Sequence, residues 1–380
     1  MNRNPVSNFI SKMNLFTYKT STVNKKTTDL TAFTQLIDSI YNKNIDINSI
    51  CGTKEGAQLQ GKEKIATISH DKKERAQLQE TSIIYVPFPV TEDTFEIIFT
   101  LNVPRVAAGK KPLNVLSHSP KAVIEEARKK FEKSRYPESD LNPGRKLYQQ
   151  YKSKNVFTKD RRKELEKITD YIESAPEALT INPAKPTDNE VNEQTPEKLS
   201  KTLKKKKVYV NFLEKIQAAA EAGALDQTEF ISIDEIDETS QLSKVYVLAH
   251  GIAGDQNIYA KDATQKKSAA EVVSEIKALI KTDQTVDIRL TSCQSADDRT
   301  ITSFEKTELD EARKNSCGNI SLAKHVSNEC KTQKVNAKVH GYHGNGVYEY
   351  SRFYHKTRKP VGDNKLRIRA SKARAEFIPN

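Results

Sequence analysis

The feature that most constrains this 380-residue chain is an alternation of two kinds of segment in its second half. Short β-branched runs, VYVNF (208–212), VYVLA (245–249) and VDIRLTS (286–292), are interleaved with longer helical patterns, EKIQAAAEAGAL (214–225), SAAEVVSEIKALIK (268–281) and NISLAKHVSNEC (319–330). Strands joined through helices run parallel, so the pattern predicts βαβ units and an α/β fold with a mostly parallel sheet flanked by helices. VNAKVHGY (335–342) supplies a further strand, and the alternating segment 346–370 is expected to form an antiparallel hairpin.

The first half has a different character. Residues 1–27 are polar and aperiodic and are expected to be a flexible leader, followed by a helix at 28–43. TSIIYVPFPV (81–90) and TFEIIFTLNV (94–103) suggest a hairpin, and 119–135 and 159–175 suggest helices. Three prolines and a lysine run then interrupt the pattern at 180–207. These features predict an N-terminal α+β domain at 28–181, a linker at 182–203 and a second domain at 204–380.

A formal charge of +12 favours a polyanionic partner without choosing among polyanions. Cys51, Cys293, Cys317 and Cys330 are too scattered for a disulfide framework or a zinc pattern and are expected to be reduced. The sequence offers neither a secretory signal nor an apolar run long enough to span a bilayer, which suggests a soluble protein.

Two of the apolar runs end on reactive residues, the first on His250-Gly251 and the second on Cys293. Functional groups in a parallel sheet collect beyond the carboxyl ends of the strands, and a single crossover helix would bring both residues to the same edge. A thiolate nucleophile, an imidazole acid/base and backbone N–H donors from Gly251 and Cys293 would suffice for acyl chemistry. Each residue alone also has a structural reading, as a small core thiol or a turn histidine. His340 and His343 in VHGYHGNG (339–346) have no neighbouring carboxylate or cysteine in sequence to complete a metal site, so no metal is expected.

The order strand, His-Gly, helix, strand, small residue, Cys resembles the caspase-like cysteine peptidases. Within that group it is most similar to the self-cleaving cysteine protease domains of large bacterial toxins, which inositol hexakisphosphate activates. The likeness spans about 205–375. It departs at Thr291 and Ser292, where caspases carry Gln-Ala, and at Gln294 and Ser295 after the cysteine; the toxin domains usually have glycine where Ser292 stands. The resemblance implies a cysteine endopeptidase with Cys293 as nucleophile and His250 as general acid/base. Ser292 and Tyr342, the latter on the strand after the nucleophile, would line the substrate pocket. It also implies a bacterial effector that self-processes and is passed into a host cell without a cleaved signal peptide.

Residues 352–374 carry nine lysines and arginines against the single acid Asp363. Arg352, Lys356, Arg358, Lys365, Arg367 and Arg369 are therefore candidates for binding a polyanion such as inositol hexakisphosphate, or else for protecting a solvated strand edge by charge. The partners expected are a protein substrate and a phosphorylated activator, not nucleic acid. A non-catalytic polyanion-binding or protein-interaction module on the same fold, and acyl transfer in place of hydrolysis, are the alternatives.

Overall fold

A computed structural model describes residues 81–135, 138–160, 162, 163, 165, 166, 213–233, 242–280, 284–314, 319–347, 356–358, 360 and 367–379. In chain order these form β1 (Thr81–Val86), α1 (Glu92–Ala107), β2 (Asn114–Ser117), α2 (Lys121–Arg135), α3 (Glu138–Ser153), α4 (213–227), β3 (Phe230–Ser232) and β4 (Leu242–Val247). Then come β5 (Asn257–Tyr259), β6 (Lys266–Ser268), α5 (Ala269–Leu279), β7 (Val286–Leu290), α6 (Lys306–Glu311), α7 (Leu322–Thr332), β8 (Ala337–Tyr342), β9 (Asn345–Val347), β10 (Lys356–Arg358), β11 (Arg367–Arg369) and β12 (Arg374–Phe377).

The α/β expectation is met by a seven-stranded sheet of order β12-β8-β7-β4-β1-β2-β3. Six strands are parallel, and β12 alone is antiparallel, to β8. β1 lies centrally, and Ile83, Ile84, Tyr85 and Val86 are all buried, as a strand covered on both faces requires. On β4 and β7 the two faces differ. Val245, Val247, Ile288 and Leu290 join Val272, Val273 and Ile276 of α5 and Val326 of α7 in the main core. Lys244, Tyr246, Asp287 and Arg289 alternate onto the other face and are only half-buried.

Two expectations are corrected. TFEIIFTLNV is not a strand but the body of α1, where Phe95, Ile97, Ile98, Phe99 and Val103 are buried. A short, continuous apolar run suits a buried strand or a buried helix equally. Here the helix is decided at its start: Thr91 and Thr94 form a reciprocal cap, and Glu92 and Asp93 occupy the first turn. Phe95 and Phe99 then pack on Phe131 of α2, with ring centroids 5.9 and 5.4 Å apart.

The second correction concerns the division into domains. β1-α1-β2 is itself a βαβ unit, and β1 pairs with both β2 and β4, so residues from the two expected domains share one sheet. All the described residues fall in a single compact unit. Proline and lysine content signalled a break in the chain, but strand pairing is non-local and crosses it. Residues 1–80 and 182–203, the helix expected at 28–43 and the strand expected at 208–212 lie outside the described residues. The hairpin expected at 346–370 is observed as a separate antiparallel sheet of order β11-β10-β9. No helix among the described residues is long and apolar enough to cross a membrane.

The crossover helix α5 shows how local signals fix the element that separates the two site-bearing strands. Ser268 and Glu271 form a capping box, and Ala269, Val272, Val273, Ile276 and Leu279 make the buried stripe. Ser268→Ala is expected to cost about 1 kcal/mol. The measurement is the urea midpoint at constant m-value; an unchanged midpoint would mean that the cap contributes nothing.

Candidate functional site

β4 and β7 are neighbouring parallel strands with Val247 opposite Leu290. His250 and Cys293 therefore lie equally far beyond an opposed pair, at the same carboxyl edge of the sheet. Thr291 continues the pairing, donating its N–H to the Val247 carbonyl at 3.0 Å. The two loops then meet at Gly251: a Cβ on this residue would lie 2.8 Å from the Cys293 carbonyl oxygen and 3.0 Å from the Ser292 Cβ. Only glycine permits that approach without displacement. The N–H of Gly251 has no acceptor among the described residues.

His250 is held through its backbone. It exchanges two hydrogen bonds with Tyr259 on the β5–β6 hairpin, at 2.9 and 3.0 Å. The Tyr259 hydroxyl in turn donates to Asp255 at 2.6 Å. The residue is exposed at the site's mouth, yet the protein packed about its ring disfavours the imidazolium and lowers the pKa; Asp93 opposes that shift and Lys261 adds to it. Asp93 and Lys261 are themselves ion-paired.

Cys293 is half-buried at the start of a tight turn. Gln294, the next residue, has φ of 54°, a left-handed conformation that a non-glycine residue adopts only when its surroundings impose it. Those surroundings are explicit. Gln294 N–H donates to the Gly344 carbonyl at 2.7 Å and Ala296 N–H to Tyr342 at 3.2 Å, while the Ser295 hydroxyl donates to Leu290 at 2.8 Å. Asp297, fully buried, ties three loops together. Its carboxylate contacts His343 Nδ1 at 2.5 Å and accepts from Gly344 N–H at 2.8 Å, and its carbonyl accepts from Gly254 N–H at 2.9 Å. Burial raises the Asp297 pKa, opposed by His343.

In the sequence His343 reads as a possible metal ligand, and its pairing with Asp297 is not legible there, because it depends on how the loops after β7 and β8 meet. His340 faces elsewhere, its Nδ1 2.8 Å from Asp287. Among the described residues no group of three or more His, Cys, Asp or Glu side chains is placed to hold a metal ion.

Beside the turn, a cavity of about 350 Å³ opens on the polar face of the sheet. Ser292 and Tyr342 both line it, and so does Arg369. The structure thus brings together two residues expected in a substrate pocket and one expected at an anion site. Arg367 is half-buried on β11, and the register sets Lys356 opposite Arg369 and Arg358 opposite Arg367. Arg352 and Lys365 lie outside the described residues, as do Cys51 and Cys317. Cys330 is buried in the core, and burial pushes its thiol up to about 12.

Comparison with protein-family models, with curated proteins and with solved structures finds no match to this chain.

Proposed function

We propose that the chain is a cysteine endopeptidase of caspase-like type. The observation that carries this reading is the close approach of Gly251 to the Cys293 carbonyl, which joins the His-Gly loop to the cysteine turn at one sheet edge. In the proposed reaction His250 accepts the Cys293 thiol proton as sulfur attacks the scissile carbonyl. The Gly251 N–H donates to the oxyanion, and His250 returns the proton to the departing amine. Water, deprotonated by His250, then hydrolyses the thioester and regenerates the thiol. The lowered His250 pKa supports the base role, since it keeps the imidazole neutral.

The test is incubation of the purified protein with a peptide library, followed by mass spectrometry of the products and of the chain itself for self-processing. Absence of any cleavage by thiol-reduced protein would overturn the reading.

A pH dependence follows. Cleavage needs neutral His250, and a folded pKa below the ordinary 6.5 leaves that form populated where a solvated histidine would already be half protonated. The acid limb of kcat/KM is therefore expected below pH 6.5, with activity lost as pH falls through it. A limb at or above 6.5 would count against the lowered His250 pKa as the origin of that limb.

A second reading, polyanion binding without catalysis, draws on the basic cavity. It is separated from the first by alkylation with iodoacetamide: a Cys293 no more reactive than the core thiol Cys330 would favour it.

A further inference from the structure

The proposed reaction leaves a buried ionisable pair beside the nucleophile unused. Asp297 is 0% exposed and His343 4%, and a proton is shared between the carboxylate and His343 Nδ1, 2.5 Å apart. A buried ion pair seldom stabilises a fold more than apolar side chains of the same volume would, so stability is a poor account of its presence. What a carboxylate does that an apolar group cannot is fix the direction of particular peptide groups. The second oxygen of Asp297 accepts from the Gly344 N–H at 2.8 Å. The Gly344 carbonyl in turn accepts from the Gln294 N–H at 2.7 Å. Gln294 and Gly344 both have left-handed backbone, with φ of 54° and 73°. Gln294, which has a side chain, keeps that conformation only while its surroundings impose it.

A chain of hydrogen bonds thus runs from His343 through Asp297 and Gly344 to the residue that follows Cys293. Its far end is anchored independently, because the His343 backbone N–H donates to the Ala373 carbonyl at 2.8 Å. Asp297 also reaches the other half of the site. Its N–H donates to the Gln294 carbonyl at 3.0 Å, closing the cysteine turn, and its carbonyl accepts from Gly254 N–H at 2.9 Å, in the loop that begins at His250-Gly251. One residue is therefore bonded both to the turn that presents the thiol and to the loop that follows the imidazole.

We infer that Asp297 and His343 are positioning residues, a pair that holds the Cys293 turn against the His250-Gly251 loop, so that its loss lowers turnover without weakening substrate binding. The catalytic effect rests on the peptidase reading, whereas the hold on the turn does not. A displacement of about 1 Å in a reacting group costs about 10²-fold in rate. Asp297→Ala removes both acceptor oxygens and leaves His343 buried without its partner. Asp297→Asn keeps an oxygen for the Gly344 N–H and an amide towards His343, so it is the variant that retains the turn.

The test has a kinetic arm and an exchange arm, both on the full chain and well below each variant's melting temperature. Per folded molecule, Asp297→Ala is expected to lower kcat about 10²-fold with KM unchanged within about threefold, and Asp297→Asn to recover at least about tenfold of that loss. Should Asp297→Ala not fold, His343→Ala, which leaves the Gly344 bond in place, is expected to lower kcat at least about tenfold with the same KM. A merely structural pair would lower the melting temperature and leave kcat per folded molecule unchanged. In the second arm, amide hydrogen exchange at Gln294 and Ala296 is expected to be at least about tenfold faster in Asp297→Ala, with β7 and α5 protected as before. If the unaltered protein cleaves no peptide, the peptidase reading fails and exchange alone decides whether the pair holds the turn. Unchanged kcat in the folded variants, a loss confined to KM, or exchange at Gln294 no faster than in the unaltered chain would overturn the inference.

Discussion

Replacing Cys293 with alanine is expected to lower peptide cleavage by about 10⁶-fold, the scale on which a nucleophile's loss abolishes covalent catalysis. His250→Ala should cost nearly as much, and the double variant little more than either single one, because in the proposed reaction the two act as one unit. Neither change should unfold the chain. The Cys293 turn is held by the backbone bonds of Thr291, Gln294 and Ala296, and His250 is fixed through its backbone pairing with Tyr259. Single-turnover kinetics beside thermal melting give both readouts. Cleavage retained at more than a hundredth of the original rate in Cys293→Ala would remove this thiol from the mechanism.

The arrangement around Cys293 explains how a half-buried thiol can be held accurately. Its turn is anchored below by Ser295 to β7, beside by Gln294 and Ala296 to the end of β8, and behind by Asp297 to both His343 and the Gly254 loop. The anchors come from β7, from the end of β8 and the turn after it, and from the loop at Gly254, while direct strand pairing sets the separation of β4 and β7. Local order at the site is therefore a consequence of sheet topology, not of the turn's own sequence, which contains no glycine at its left-handed position.

How much of this was legible in the chain follows from the range of the interactions. Strand-ending His250-Gly251 and Cys293 could be found because each terminates an apolar run, and capping residues such as Ser268 with Glu271 mark α5. The central place of β1 could not, since VYVLA and VDIRLTS carry no mark of which strand will lie beside them. The same runs did contain an unused signal. Tyr246 between Val245 and Val247, and Arg289 between Ile288 and Leu290, alternate with period two. Such alternation says that one face of the sheet is not fully covered, and that face holds the arginine cavity. TFEIIFTLNV misleads for the opposite reason: buried on nearly every side in α1, it has no polar face to reveal its period.

Gly251→Ala is expected to separate the site's chemistry from the fold's stability. The new methyl would sit 2.8 Å from the Cys293 carbonyl oxygen and 3.0 Å from the Ser292 Cβ, and the first of these is a backbone atom that no rotamer change can move. The loops must part by some tenths of an ångström. That displacement moves the Gly251 N–H from the position a developing oxyanion would occupy, and losing one such donor costs about 10²- to 10³-fold in kcat. The stability cost is that of local overpacking, about 1–3 kcal/mol, because the contact lies beyond the strand ends and the core of β4, β7 and α5 is untouched. KM should change less than kcat, since the donor proposed at Gly251 acts on the oxyanion of the transition state and not on the bound substrate. If kcat stayed at its original value with the alanine in place, the approach of these loops would be packing alone, and the oxyanion role assigned to Gly251 would have to be given up.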